Sequence, residues 1–326
     1  MTLQKIAKLA GVSVSTASKA LSDSKEVSEK TKELVQKAAQ ELGYFTKVKK
    51  RRFENRRHSS SVIGIICPEI ISVHYSELVT ALCRKIDEMG GKVSVFISEF
   101  DDKKLKNIFD RCVSENDIDG ILCLEGADAD CEPLDYPIPV VYLRSGGRYS
   151  VHTDMRDGIY KAVAHFAEMG HKKIAFAGEP LTFSKQEMFK NAMADILGSF
   201  DERLIFCEEG RFEASGHAAG VRLLALEKND RPTAILCAYD EIAYGLMRVL
   251  RENRVRIPDD ISVIGINDIP TSRFLDTPLT SVRNDTEKIV EKAMEMLLLQ
   301  LSGEKTGEMH LAVPCELAVR SSVAKI

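Results

Sequence analysis

Apolar residues recur along this chain in two rhythms, and the change falls near residue 61. Before it the spacing is that of short helices. Leu3, Ile6, Ala7 and Ala10 line one face of a first helix, which Thr2 can cap and Gly11 ends. Ser13 can cap a second helix with Val14, Ala17, Ala20 and Leu21 as its inner positions. A third begins near Ser28, where Ser-Glu-Lys-Thr is a variant of the capping box, and runs to Gly43–Tyr44. After residue 61, short apolar runs alternate with amphipathic stretches. VIGIIC, KVSVFI, GILCL and PVVYL are interleaved with ELVTALCRKIDEM and LKNIFDRCVSEN, and the rhythm resumes in KKIAFAG, AILCAYD and DISVIG. Such β-α alternation predicts parallel sheets covered by helices on both faces. About 265 residues divide better into two doubly wound lobes than one, with a ligand cleft at the strands' carboxyl ends.

Two short helices around a glycine-containing turn are the pattern of a helix-turn-helix, whose second helix enters the DNA major groove. Its outward residues would be Val14, Ser15, Thr16, Ser18 and Lys19, small or hydroxylated side chains and one cation that suit base edges and phosphates. The same spacing also fits a small helical bundle with ordinary surface serines.

Charge sharpens the picture. The net charge is −4, yet residues 1–61 hold 14 Lys/Arg against 6 Asp/Glu, and the remainder holds 31 against 43. A basic head on an acidic body points to an anionic partner for the head alone, with nucleic acid as first candidate. The run KVKKRRFENRRH, residues 47 to 58, reads either as a solvated linker or as an arm that delivers Phe53 to something anionic.

Composition, at 44% apolar and 29% charged, is that of a soluble globular protein. No apolar run approaches the roughly 18 residues of a membrane-spanning helix, and the N-terminus is too short and charged for a signal peptide, so a cytoplasmic protein is expected. The cysteines are scattered without a C-x-x-C pair and read as buried reduced thiols, with no metal site and no cofactor implied. No phosphate-binding loop, nucleophile elbow, zinc-helix or dinucleotide motif is present, and His165, His171 and His217 lack carboxylate or cysteine partners at ligand spacing. An enzyme is therefore not expected.

IAKLAGVSVSTASKAL followed by VSEKTKELVQKAAQELGY resembles the head of the lactose/galactose repressor (LacI/GalR) family of bacterial transcription regulators. The likeness continues through VIGIICPEI, GHKKIAFAG, RPTAILCAYDEIAYG, RIPDDISVIGINDIP, PLTSVR and CELAVRSSV. It implies an all-α helix-turn-helix head plus an α/β two-lobed periplasmic-binding-protein-like core of doubly wound parallel sheets. The head would occupy residues 1–45, a hinge 46–60 and the effector-binding and dimerisation core 61–326. Crossovers near 156, 284 and 312 would give lobe 1 residues 61–156 and 285–311, and lobe 2 residues 157–284 and 312–326.

The resemblance also assigns residues. Val14 and Ser15 fall where family members read bases, and Lys19 falls where most carry Arg, a point charge in place of a bidentate fork. Ser13, Thr16 and Ser18 would position phosphates. Counting nine positions beyond Tyr44, to where the family inserts a leucine into the minor groove, lands on Phe53. Thr46-Lys47 and Lys50-Arg51 replace the family's usual Pro-Asn and Ala-Arg there, and flanking cations such as Lys50 and Arg51 would meet phosphates. In the core, His74, Tyr75, Phe212, Tyr239, Asp240 and Asn267 map to effector contacts, Phe212 as a ring against a sugar face. For Asp240 the alternative is a cap on the helix EIAYGLMRVL. Three departures make the cleft more positive: Arg144 stands where many relatives have Asp, Lys185 where they have Arg, and Asn267 where they have Asp. An effector that is a sugar or sugar derivative bearing a carboxylate or phosphate follows.

The partners expected are palindromic operator DNA, that small-molecule effector and a second copy of the chain, with no membrane. The chain ends after RSSVAKI without a heptad tail, so a homodimer is expected rather than a tetramer. A solute receptor with the same core and no DNA role is the competing reading, against which the basic head counts. A phosphoprotein co-regulator is compatible with the same residues.

Overall fold

A computed structural model describes residues 3–21, 27–41, 61–115, 117–125, 136–303 and 307–326. The chain forms two compact units, Met1–His152 with Thr286–Leu311 and Thr153–Asp285 with Ala312–Ile326.

The first unit opens with three helices, α1 (Leu3–Leu9), α2 (Val14–Leu21) and α3 (Glu29–Glu41). They close around Ile6, Ala7, Ala17, Ala20, Val27, Val35, Ala38 and Ala39, with Leu3, Ala10 and Val12 packed at the margin. The small residues on α2 let the helices approach closely. Ser13 caps α2, its Oγ accepting the Thr16 amide at 3.0 Å, and Ser28 caps α3 in the same way through Thr31 at 3.3 Å. The capping box variant thus uses a threonine hydroxyl, at 2.8 Å from Ser28 Oγ, where a glutamate would otherwise reach back. Val14 differs from its reading as an inner position: it stands in the first turn, ahead of the Ala17–Ala20 seam, and is 43% exposed. Thr2 and the hinge residues Lys50, Arg51 and Phe53 lie outside the described residues.

The rest of that unit is a six-stranded sheet of order β11-β5-β4-β3-β1-β2, made of β1 (Val62–Cys67), β2 (Lys92–Ile97), β3 (Gly120–Cys123), β4 (Val140–Tyr142), β5 (Tyr149–Asp154) and β11 (Met309–Pro314). β1 runs parallel to β2 from Val62↔Lys92 and to β3 from Ile63↔Gly120. Its VIGIIC is buried after Val62, as a central strand covered on both faces requires. α4 (Val73–Glu88) buries Leu78, Leu82 and Ile86, α5 (Asp102–Ser114) buries Ile108, Phe109 and Cys112, and α10 (Thr286–Leu301) returns to the same unit.

The second unit repeats the plan, with order β12-β10-β9-β8-β6-β7. Its strands are β6 (Ile174–Gly178), β7 (Ile205–Cys207), β8 (Ala234–Cys237), β9 (Ser262–Asn267), β10 (Thr280–Arg283) and β12 (Glu316–Ala318). The pairs are parallel except β12, which meets β10 antiparallel at Ser281↔Ala318. Around it lie α6 (Met155–Glu168), α7 (Phe183–Leu197), α8 (Glu213–Leu224) and α9 (Asp240–Glu252). α8 and α9 touch backbone to backbone: a Cβ on Gly216 would meet the Ile242 carbonyl, and one on Gly245 the Glu213 carbonyl. Gly216→Ala or Gly245→Ala is therefore expected to force the helices apart and cost about 1–3 kcal/mol, read as a lower urea midpoint. A midpoint equal to the parent's would refute that close crossing.

Cys67, Cys112, Cys123, Cys237 and Cys315 are buried free thiols, Cys83 is half-buried, and Cys131 lies outside the described residues. Cys207 departs from the expectation of burial: it ends the short edge strand β7, is exposed, and its thiol donates to Gln186 Oε1 at 2.9 Å. His171 is a satisfied structural residue, its ring between the Thr233 hydroxyl and the Ala324 carbonyl, each at 3.0 Å.

Candidate DNA-binding face and strand-end ligand residues

On α2 the buried positions are Ala17 and Ala20, so Val14, Ser15, Ser18 and Lys19 form one exposed stripe at helical spacing. Thr16 is half-buried and its hydroxyl is 2.8 Å from Ser13 Oγ. Ser13 and Thr16 thus fix the start of the helix. The α2 amino terminus, with its outward amides, and the stripe beside it present the small polar and cationic groups that suit a groove edge.

In the first unit the candidate ligand residues follow the carboxyl ends of parallel strands, where such sheets place their sites. His74 and Tyr75, after β1, occupy the first turn of α4, half-buried, with ring centroids 5.4 Å apart. Tyr75 meets Phe100 edge-on at 6.4 Å. Arg144, after β4, is exposed. Beside it the sequence reading missed an acid: Glu125, just past β3, is buried and accepts the Ser98 hydroxyl at 2.6 Å. Burial pushes its carboxyl above the usual range, against the pull of Ser98 and the Arg144 guanidinium. The acid that closes the apolar run GILCL was the available signal.

The second unit gathers the remaining candidates after β6, β7, β8 and β9. Lys185, on α7, donates to the Ala238 carbonyl at 2.9 Å and lies 4.1 Å from the centre of the Tyr239 ring. The Phe212 ring is 6.1 Å from that of Tyr239, tilted by 53°. Arg211, missed in the sequence, covers the Phe212 ring at 4.4 Å. Lys185, Tyr239, Phe212 and Arg211 are thus one aromatic and cationic cluster.

Asp240 stands apart from that cluster. Its carboxylate is fully buried, Oδ1 accepting the Ser281 hydroxyl at 2.6 Å, and Oδ2 the Ser272 hydroxyl at 2.6 Å and the Ile269 amide at 2.8 Å. It is not a helix cap either, because Tyr239 holds the N-cap position of α9. Instead it ties the start of α9 to the turn after β9 and to β10, in a space that opens because residue 265 is glycine; a Cβ there would meet Oδ1. Burial pushes its carboxyl up to about 7, while the two hydroxyls and the amide pull it down.

Asn267 ends β9 with φ 105° and accepts the Asn284 side-chain amide at 3.2 Å. The next residue, Asp268, also has positive φ, at 50°, and its side chain is only 6% exposed between Arg283 at 2.6 Å and Arg320 at 2.7 Å. Asp268 is therefore spent on two arginines of its own unit, whereas Asn267 is half-buried at the strand end.

Residues 2–47 match the family described as bacterial regulatory proteins, lacI family, and residues 163–323 match a periplasmic binding protein-like domain. The HTH-type transcriptional repressor CytR of Escherichia coli (strain K12) is 30% identical over 332 residues, covering 98% of this chain and 96% of its own. The chain belongs to the lacI family of bacterial regulatory proteins. A second relative, the HTH-type transcriptional repressor PurR of Mannheimia succiniciproducens, is 29% identical and covers 100% of this chain and 99% of its own. Among solved structures, a CelR–cellobiose complex shares 26% identity at a TM-score of 0.68 and covers 99% of both chains. As a lacI-family member the chain is a DNA-binding transcriptional repressor governed by a small-molecule effector. Among the described residues no helix is long and apolar enough to cross a membrane.

Proposed function

We propose that this lacI-family regulator binds a palindromic operator as a cytoplasmic homodimer, without enzymatic activity, and that its effector is a sugar or sugar derivative carrying a carboxylate or phosphate. The observation that carries the effector reading is the cluster of Lys185, Arg211, Phe212 and Tyr239 at the strand ends of the second unit. Two aromatic rings suit the apolar face of a pyranose, and the Lys185 ammonium beside them suits an anionic substituent, the Arg211 guanidinium being charge-paired with the buried Glu179 carboxylate 2.8 Å away. Asn267 supports it, since an amide there removes an acceptor charge that the family's Asp would supply. In the first unit Glu125 sits beside Arg144 and partly balances it, so the anion selectivity rests on the second unit. Effector binding shifts operator affinity only through its different affinity for the two states of the dimer, a coupling of about 1–3 kcal/mol.

Two measurements test this. DNA selected from a random pool by the purified full-length protein should converge on a palindrome, and its binding should weaken steeply with salt. Thermal unfolding with glucose, glucuronate and glucose 6-phosphate should rise more with an anionic sugar than with glucose. A clear preference for glucose would overturn the anionic reading, and a pool without a common motif would overturn operator recognition.

A further inference from the structure

The Phe212 backbone has φ 53° and ψ −124°. A residue with a Cβ is held there at a cost of about 1–3 kcal/mol, which glycine would avoid. The neighbour Gly210 takes its own positive φ of 105° without that cost. Retaining phenylalanine at 212 makes sense if the ring is needed, and something must hold it. That something is Glu179, the residue directly after β6, which is fully buried. Glu179 Oε2 accepts the Phe212 amide at 2.9 Å, and Oε1 lies 2.8 Å from Arg211 Nε. The second contact is ionic: the Nε–H is not directed at the oxygen, and no hydrogen bond forms between the two atoms. One carboxylate therefore grips two consecutive residues, by an amide hydrogen bond and by charge.

The grip has a fixed base. The Glu179 amide donates to Thr182 Oγ1 at 3.0 Å, and the Thr182 hydroxyl donates to the Glu179 carbonyl at 2.7 Å. A buried carboxylate in turn depends on its partners, because it has lost its hydration. Arg211 completes the arrangement, with its guanidinium over the ring it flanks.

We infer that Glu179 is a positioning residue for the ligand face of the second unit: its carboxylate clamps Arg211 and Phe212 so that the Phe212 ring is held toward Tyr239. What the ring then contacts rests on the effector reading above; the clamp does not depend on it. Sequence reading could not find this residue, since Glu179 lies far along the chain from Arg211 and Phe212 and falls just outside the phrase GHKKIAFAG.

The chain contains no tryptophan, so Phe212→Trp creates a single fluorescent reporter at the site. In the full-length protein, adding Glu179→Ala should raise acrylamide quenching of the residue-212 reporter by about threefold and lower its anisotropy, as the strained backbone relaxes. Glu179→Gln, which keeps an acceptor for the amide, should return most of the protection. A reporter at Phe274→Trp, in the same unit at a position 78% exposed, should not respond to Glu179→Ala. Should Glu179→Ala fail to fold, Arg211→Gln is read in its place, with a rise of about twofold at residue 212 and none at 274. A lower unfolding midpoint with unchanged quenching at residue 212 would make Glu179 a fold element only, and so overturn the proposal, as would a Gln variant that restores nothing. Emission shifts of the same reporter with glucose, glucuronate and glucose 6-phosphate judge the effector reading separately.

Discussion

Near pH 4, Asp240→Ala is expected to destabilise the second unit by about 3–5 kcal/mol and to lower cooperativity of unfolding, the largest stability effect of any single strand-end substitution. The carboxylate accepts three hydrogen bonds in a site with no water access, and alanine leaves the Ile269 amide and the Ser272 and Ser281 hydroxyls to find new partners. The serine hydroxyls can rotate, Ser272 toward the Tyr244 hydroxyl 2.7 Å away. The Ile269 amide cannot. Asp240→Asn should cost much less, because its carbonyl oxygen still accepts and its amide can donate to a serine oxygen.

The same residue gives stability a pH dependence whose sign follows from its raised pKa. Unfolded, Asp240 ionises near 3.8; folded, burial holds its proton up to about 7. Between those values the folded state binds the extra proton, so this residue's contribution is present at low pH and is lost as pH rises from about 4 to 7. The full loss is on the order of 4 kcal/mol, and above pH 7 the contribution is flat. Asp240→Asn should remove that component from a stability–pH profile measured by urea unfolding. A difference between parent and variant that does not change between pH 4 and 7 would show that the carboxylate is ionised throughout.

Asp240 also shows what the sequence could and could not disclose. The apolar runs named β1, β3, β4, β6, β8 and β9, because central strands buried on both faces leave an uninterrupted apolar signature, and β2, an edge strand, through the valines of KVSVFI. β5, β7, β10, β11 and β12 escaped. YSVHTD is polar at alternate or adjacent positions, IFC and ELA are only three residues long, and MHLAVP is an edge strand exposed at every second residue. Family likeness placed the strand-end candidates, since it copies positions, but it could not say which way a carboxylate turns. Asp240 turned inward because glycine at 265 makes room beneath it. Glu125 was legible only as the acid that closes GILCL and Glu179 not at all, because each acts through residues from a distant strand end, a pairing that only the fold creates.

For the head, Val14→Asp is expected to reduce affinity for the selected operator by at least about a thousandfold while leaving the head folded. The side chain is 43% exposed and takes no part in the Ile6–Ala17–Val35 core, so a carboxylate there meets water in the free protein. On DNA the same carboxylate would be carried with the α2 amino terminus toward phosphates and base acceptors, where it is repelled. Lys19→Ala probes the other end of the exposed stripe. If its ammonium sits at a phosphate, affinity falls about 10- to 100-fold for all sequences and the salt slope shrinks by about one; if it reads guanine, the loss concentrates at one operator position. Circular dichroism and the unfolding midpoint should match the parent in both variants. Full operator affinity in Val14→Asp would remove α2 from the groove and return the head to an ordinary three-helix bundle, whereas loss of binding with an intact fold assigns recognition to the stripe formed by Val14, Ser15, Ser18 and Lys19.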